Sequence, residues 1–402
     1  VTAATPAPPA PSRITLIFVL GSMSAFGALS FDMYLPAFPR IAADLHVSAA
    51  AVQLTLTVAL IGLALGQLVS GPLADRYGRR RPALIGAAAF TAASALIAVS
   101  PGIGMLTGLR LVQGIAGGMG ITVARAVVRD LFHGAEASRF FSRLTLVFGV
   151  APVIAPTIGA AALRFTSWRG VFWLLAVYGL AMVVVVGRWL PETLPTERRR
   201  TGGLAEIGRG VRVLTGDRRF LGYVFGQGLA FAGLFAYLSS GSFVLQEGFG
   251  ISAQGYGLIF GVNSLGLVLA GQLNARLVGR HAPRTLLFAA LAVILAAGAA
   301  MLGAAELGSA AGVVACLFFY VASLGMLTPN AVALALEDYR HMAGTASAVM
   351  GAMQSGTGAL AGPIMAALGA AGGVPMAVTM LGFACLSACA LTLTRPGLAE
   401  PA

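Results

Sequence analysis

Residues 50–72, AAVQLTLTVALIGLALGQLVSGP, run from end to end without a charge, and residues 73–81, LADRYGRRR, follow with one aspartate and four arginines. An α-helix rises 1.5 Å per residue, so roughly 20 apolar residues match a hydrocarbon core about 30 Å thick. Arginines that follow such a run mark the side of the membrane on which a loop is retained. The stretch therefore reads as one transmembrane helix and the loop behind it. The same pattern recurs along the chain. Apolar runs fall at about 14–38, 50–72, 82–100, 104–126, 139–163 and 168–190, then at 219–243, 254–276, 284–303, 308–330, 343–367 and 372–393. The 284–303 and 308–330 runs are separated only by Glu306 and small residues.

Composition agrees. Of 402 residues, 58% are hydrophobic and only 10% are charged, with a mean hydropathy of +0.87. A soluble domain carries roughly 25% charged residues to cover its surface. All the basic residues are arginine, and the net charge is +12. They sit in short clusters between apolar runs, which argues for membrane loops and against nucleic-acid binding. Counting loops from the N-terminus, the even ones carry Arg76, Arg79, Arg80 and Arg81, then Arg129, Arg139 and Arg143, a central cluster, Arg276, Arg280 and Arg284, and Arg340. The odd ones carry Arg40, Arg164 and Arg169. The bias predicts cytoplasmic even loops. Arg13 and Arg395 place both termini on that side, which requires an even number of spans. Val1–Ser12 is an Ala/Pro-rich tail, and the run after it exceeds the 7–15 residues of a signal-peptide core.

The expected organisation is a cytoplasmic tail (1–13), a six-helix bundle (14–190), a cytoplasmic linker (191–218), a second six-helix bundle (219–393) and a C-terminal tail (394–402). The halves echo each other. Gly71-Pro72-Leu73-Ala74-Asp75-Arg76 is matched 200 residues later by Gly271-Gln272-Leu273-Asn274-Ala275-Arg276, and Ala155-Pro156 is matched 207 later by Gly362-Pro363. A duplicated six-helix unit with its site between the halves is a common transporter plan.

Inside the spans, Asp32 is the acid that lies well within an apolar run. A carboxylate at mid-bilayer costs roughly 2.5–3.5 kcal/mol on insertion scales and usually marks an ion or substrate path. Arg110 lies about six residues into the fourth span, roughly 9 Å deep. Asp32 is comparably far from the matching end of an antiparallel span, so the two share a depth and a pairing between them is geometrically possible. Gln53, Gln113, Gln227, Tyr237, Asn263, Asn330 and Gln354 also fall inside spans, where lipid exposure is costly. Tyr34, Phe231 and Phe235 offer rings for a substrate to stack on. The predicted substrate contacts are Tyr34, Gln113, Gln227, Phe231, Phe235, Tyr237, Asn330 and Gln354. Arg125 reads as an interfacial or structural residue. The three cysteines lack metal-ligand spacing, and the four histidines, His46, His133, His281 and His341, are scattered over loops, so no metal site is expected. No nucleophile set or phosphate-binding loop points to an enzyme.

The sequence from Gly71 to Arg81 resembles the signature loop between helices 2 and 3 of the major facilitator superfamily. Leu106–Gly118, with Arg110, Gln113 and Gly114, resembles the helix 4 motif of its proton-coupled members. Pro152-Val-Ile-Ala-Pro156-Thr-Ile-Gly159 resembles the helix 5 antiporter motif, with Ala151, Ala155 and Ala160 where glycines are usual. Ser30-Phe-Asp-Met-Tyr-Leu-Pro-Ala-Phe-Pro39, Ala124–Asp130 and Ala343–Ala348 resemble the Bcr/CflA branch of drug:proton antiporters, which includes bicyclomycin and chloramphenicol exporters. The resemblance covers essentially the whole chain. It implies an all-α polytopic membrane protein of twelve helices in two pseudo-symmetric bundles, in a bacterial inner or plasma membrane. It also implies a monomer with no cofactor, its partners being lipid, protons and a small substrate.

The implied function is proton-coupled efflux of small, largely apolar drugs or metabolites, with uniport or symport of a metabolite as the alternative. The pattern further implies a gate. Asp75 meets the N-terminus of helix 11 near Gly344, and Arg79 or Arg80 pairs with Asp130, with Arg76 in the same cluster. Gly149, Pro152, Pro156 and Gly159 form a kinked, tightly packed helix 5 that serves as a hinge or a seal against proton leak.

Overall fold

The computed structural model describes residues 13–132, 140, 151–199, 211–339, 343–369 and 372–394. Its helices, in chain order, are α1 (Arg13–Asp32), α2 (Phe38–Asp44), α3 (Ala49–Tyr77), α4 (Arg80–Ala98), α5 (Ile103–Leu131), α6 (Ala151–Ala162), α7 (Trp168–Trp189), α8 (Arg218–Phe243), α9 (Ala253–Leu277), α10 (Pro283–Glu306), α11 (Ala310–Leu336), α12 (Ala343–Ala359), α13 (Ala361–Gly369) and α14 (Gly373–Thr392). Among the described residues, ten helices are long and apolar enough to cross a membrane. The remaining two expected spans correspond to α6, described only from residue 151, and to α12 with α13, a helix interrupted at Leu360.

The first span also differs from expectation. It stops at Asp32 and resumes through a 3-10 turn at Leu35–Ala37 into α2, reaching Asp44. Pro36 and Pro39 explain this, because each removes a backbone donor and disfavours helix in the residue before it. The weakly separated pair resolves into α10 and α11, divided at Gly308, whose φ is +64°. Serine hydroxyls cap three helices. Ser48 accepts from Ala51 N, Ser252 from Gly255 N and Ser309 from Gly312 N. Ser48 and Ser252 open corresponding helices of the two halves.

Large apolar side chains lie outward in stripes. On α9 these are Leu258, Val262, Leu265, Leu269 and Leu273; on α7 they are Trp173, Val177, Leu180 and Val184. Steps of three and four place each set on one helix face. A face this long and apolar suits lipid and not water.

The packing repeats. In residues 13–189, α5 packs on α1, α3 and α4, and α7 packs on α1 and α4. In residues 218–392, α11 packs on α8, α9 and α10, and α14 packs on α8 and α10. Each pair has its counterpart six spans later. α3 and α5 approach most closely, because Gly62 and Gly66 lie on the α5 backbone while Gly114 and Gly118 lie on the α3 backbone. A methyl group at any of the four would run into main-chain atoms. Both helices have 29 residues, about 43 Å of rise, so their last turns project beyond the hydrocarbon at one shared level. That level carries the 76–81 arginines and is called the arginine-rich end below.

Candidate functional site

Asp32 ends α1 and is 5% exposed. It forms no hydrogen bond or ion pair with Arg110 in this structure, although the two share a depth. Arg110 turns the other way. Its Nη1 donates to Ser30 O at 3.0 Å and to Gln113 Oε1, and its guanidinium carbon lies 4.2 Å from the Tyr34 ring centroid and 5.5 Å from that of Phe31. Gln113 Nε2 passes the chain on to Ser94 Oγ at 2.7 Å, which donates to Phe90 O. A buried cation over an aromatic face gains roughly 2 kcal/mol when desolvated. Nε and Nη2 of Arg110 nevertheless remain buried without an acceptor.

Tyr34 and Gln113, expected to touch substrate, are fully buried here by this network. Arg110 occupies the Tyr34 ring, and the Tyr34 hydroxyl sits 3.2 Å from Thr55 Oγ1. Asp32 instead lies within electrostatic reach of two tyrosines of the other half, Tyr237 on α8 and Tyr256 on α9. The Tyr237 hydroxyl accepts from Asn263 Nδ2 at 3.3 Å, and its ring stacks on Phe260. Tyr256 is fully buried, and its hydroxyl has no partner.

Along α8, Gln227, Phe231 and Phe235 share one face at steps of four, covering about 12 Å. Both rings are half-buried and meet edge-on at 5.7 Å. Gln227 Nε2 lies 3.4 Å from Gln354 Oε1. Asn330 is not among them. It donates to Asn274 Oδ1 at 2.6 Å near the arginine-rich ends of α11 and α9, far from Asp32. In this structure its side chain is engaged in that helix contact.

The cluster at the arginine-rich end centres on Arg79. Its guanidinium meets Asp75 at 2.6 Å and Asp130 at 2.8 Å. Burial opposes the charge of Arg79, and its hydrogen bonds to Asp130 and Asp75 outweigh it, holding the guanidinium above its ordinary range. Of the two expected partners for Asp130, Arg79 is the one engaged; Arg80 donates to Gly187 O. Arg76 is exposed and lies over the Tyr77 ring at 5.3 Å, outside the ion-pair cluster. A cavity of about 250 Å³ opens between α3 and α5, lined by Asp75, Arg79, Arg129 and Asp130 among others. The immediate surroundings of Gly344, in the first turn of α12, lie outside the described residues.

Sequence reasoning missed Glu192. It falls in the stretch read as linker, yet its carboxylate accepts from Arg79 N at 2.7 Å and Arg80 N at 3.2 Å, and Thr193 Oγ1 donates to Asp130 Oδ2 at 2.8 Å. Gly78, at φ +88°, lies against that carboxylate, and a Cβ there would collide with it. A Pro-Glu-Thr directly after an apolar span was the available signal.

At the opposite, arginine-poor end the halves touch. Gly257 and Gly261 of α9 lie against the carbonyls of Pro156 and Val153, each 3.0 Å from where a Cβ would stand. Gln254 Nε2 donates to Ala160 O at 3.1 Å, and Gln246 Nε2 to Pro36 O at 3.1 Å. Gly159 lies on Met33 O. Pro156 thus belongs to the close-packed seam between the halves and Gly159 to the packing of α6 on the end of α1, while Pro152 takes no part in these contacts and Gly149 lies outside the described residues. A second contact missed from sequence braces this end within the first half: Asp44 accepts from Trp168 Nε1 at 2.9 Å and Arg169 Nη1 at 2.5 Å.

Comparison with known proteins agrees with this architecture. The family model described as Major Facilitator Superfamily matches residues 20–363. An uncharacterized MFS-type transporter, YdgK, of Bacillus subtilis (strain 168) is 37% identical over 361 residues, covering 89% of this chain and 90% of that one. A bicyclomycin resistance protein homolog of Haemophilus influenzae is 34% identical over 374 residues, covering 92% and 93%. The crystal structure of a D-xylose-proton symporter superposes with a TM-score of 0.72 at 18% identity, over 94% of this chain and 96% of that one, which bears on the fold alone. A family match over most of the length, on two repeated helix bundles with lipid-facing stripes, leads to one conclusion: the chain belongs to the Major Facilitator Superfamily, whose members are membrane transporters and not enzymes.

Proposed function

We propose that this transporter exports small, largely apolar drugs or metabolites in exchange for protons, with Asp32 as the proton carrier. One observation carries the reading. Asp32 is a 5% exposed acid, without a counter-charge, in the same bundle as a buried arginine that has two nitrogens unpaired. An ionised carboxylate and an unpaired guanidinium attract strongly where water is scarce, whereas a protonated acid has little claim on the arginine. Gain and loss of a proton at Asp32 therefore changes which contacts Arg110 makes. The 34% identical bicyclomycin resistance protein homolog supports export as the direction.

The two bundles, residues 14–190 and 219–393, rock about the linker 191–218, with the arginine-rich end and both termini in the cytoplasm. Substrate lies against Gln227, Phe231, Phe235 and Gln354, which supply rings and neutral hydrogen bonds and no charge. Asp75, Arg79, Arg80 and Asp130 hold the cytoplasmic gate, and the helix 5 seam closes the opposite end. One proton crossing 100 mV supplies about 2.3 kcal/mol, enough for roughly a 50-fold gradient of a neutral solute. The test is uptake into inverted vesicles, where export runs into the lumen, across a compound panel, with and without a pH gradient, repeated with Asp32→Asn. Loss of gradient-driven exchange in the variant is expected. Full-rate export with unchanged pH dependence overturns the proton-carrier role, and accumulation driven in the opposite direction establishes symport instead.

A further inference from the structure

Arg110 and Asp32 belong to the same bundle. Their pairing alone leaves the two bundles with the same mutual contacts, so it does not by itself bias opening or closing. A coupled transporter needs a group on the second bundle that feels the charge of Asp32. The groups facing Asp32 can be taken element by element. α5 brings Arg110, already engaged on Tyr34, Ser30 O and Gln113. α3 brings Thr55, which bonds Tyr34 and its own backbone. α8 brings Tyr237, engaged with Asn263, and beyond it Glu247, which is exposed. α9 brings Tyr256, fully buried, with a hydroxyl that has no partner.

The backbone places Tyr256 for this role. α9 packs on the 3-10 turn Leu35–Ala37 that directly follows Asp32, and its Gly257 lies on Pro156 of α6. The ring is held against Phe260, which in turn stacks on Tyr237.

We infer that Tyr256 is the second-half partner of Asp32. Its hydroxyl donates to the Asp32 carboxylate when the acid is ionised, tying α9 to the end of α1 and adding to the neutral seam that already closes the arginine-poor end without it. Protonation of Asp32 weakens that tie and frees the seam. A buried phenol with an unused donor, near an acid with unused acceptors, is satisfied by that bond alone among its described neighbours, and hydrogen bonds to a charged acceptor are about twice as strong as neutral ones. The inference rests on the proton-carrier reading of Asp32.

Tyr256→Phe keeps the ring and removes a hydroxyl with no partner, so folding should be preserved. The readout is infrared titration of the protonated-carboxyl band in the purified full-length protein in lipid, assigned by its loss in Asp32→Asn. In Tyr256→Phe the midpoint of that band is expected to move to higher pH by about one unit, a tenfold change in proton affinity. Tyr237→Phe, whose hydroxyl is already engaged, should leave it in place. An unmoved midpoint in Tyr256→Phe, or a larger shift in Tyr237→Phe, overturns the assignment while the proton-carrier reading stands. A band that does not depend on Asp32 overturns both.

Discussion

Replacing Glu192 by alanine tests whether the start of the linker is part of the gate. α4 begins at Arg80 with Arg79 in the cap position, and no side chain of its own caps it. Glu192, more than a hundred residues away in sequence, supplies the missing acceptors at 2.7 and 3.2 Å and holds itself in place through Leu194 N at 3.1 Å. Losing a capping side chain costs about 0.5–2 kcal/mol. Losing a negative charge at a helix N-terminus costs about 0.3–1 kcal/mol more. Because Glu192 is exposed, the lower part of that range applies, about 1–2 kcal/mol of local opening, or a 5- to 30-fold change in equilibrium. Hydrogen exchange read on peptides spanning residues 78–84 should therefore lose protection by that factor in Glu192→Ala. Glu192→Gln, which keeps a neutral acceptor, should lose about half as much in free energy. Helix α10, which is remote from the cluster, serves as the reference. Unchanged protection at residues 79 and 80, or an equal loss in α10, would refute the capping role.

Two further outcomes follow from the packing. Gly257→Val places branched carbon where Pro156 O and the Ala160 side chain already stand about 3.0 Å from a Cβ, so α9 must move away from α6. Spin labels at positions 165 and 250, both exposed at the arginine-poor end, should separate; an unchanged distance distribution would mean the seam does not set closure. Asn330→Ala strands Asn274 and should lower stability by about 1–3 kcal/mol while leaving half-saturating substrate concentrations as they were. A selective change in substrate affinity would return Asn330 to the binding chamber.

The helix plan was legible because membrane solvation writes it into composition. Each expected span matches a helix, or a described part of one, to within a few residues, apart from extensions such as α2. The repeat is visible in sequence only as scattered Gly, Leu, Arg and Pro matches, yet in space it governs which helices touch. A pairing of Arg79 or Arg80 with Asp130 was implied by the family resemblance, and Arg79 is the one that makes it. Two kinds of feature were not legible. One is side-chain direction: Arg110 and Asp32 share a depth, but α-helical rotation and the break at Pro36 turn them apart. The other is long-range capping. Glu192 and Asp44 look like ordinary loop acids, and nothing local reveals that they receive a helix start or an indole N–H from elsewhere. The Gly62/Gly66 and Gly114/Gly118 spacings were open to reading as small-residue contact faces. They matter because they set the α3–α5 distance that seats Arg110.

The arginine-poor end constrains how a proton is coupled to movement. The polar contacts that join the halves there, from Gln246 to Pro36 O, from Gln254 to Ala160 O and from Thr157 to Gly257 O, are all neutral. The seam also holds glycines against carbonyls and the Phe38 ring beside Phe243, which carry no charge either. None of these contacts changes between pH 5 and pH 9, so the seam by itself is indifferent to the proton gradient. Under the proposed proton coupling, sensitivity has to enter through a charge that one half carries and the other half feels, the position proposed for Asp32. The size of the effect is limited. A hydrogen bond to a charged group contributes about 1.5–3 kcal/mol, enough for a 10- to 100-fold shift. Moving an equilibrium from 1:99 to 99:1 takes about 5.5 kcal/mol. On the proposed proton-carrier role, protonation of Asp32 tips a balance that is already close to even, and bound substrate supplies the remaining bias. A transporter built this way leaks little in either direction when substrate is absent, because neither the proton nor the close-packed seam is sufficient alone to complete the change.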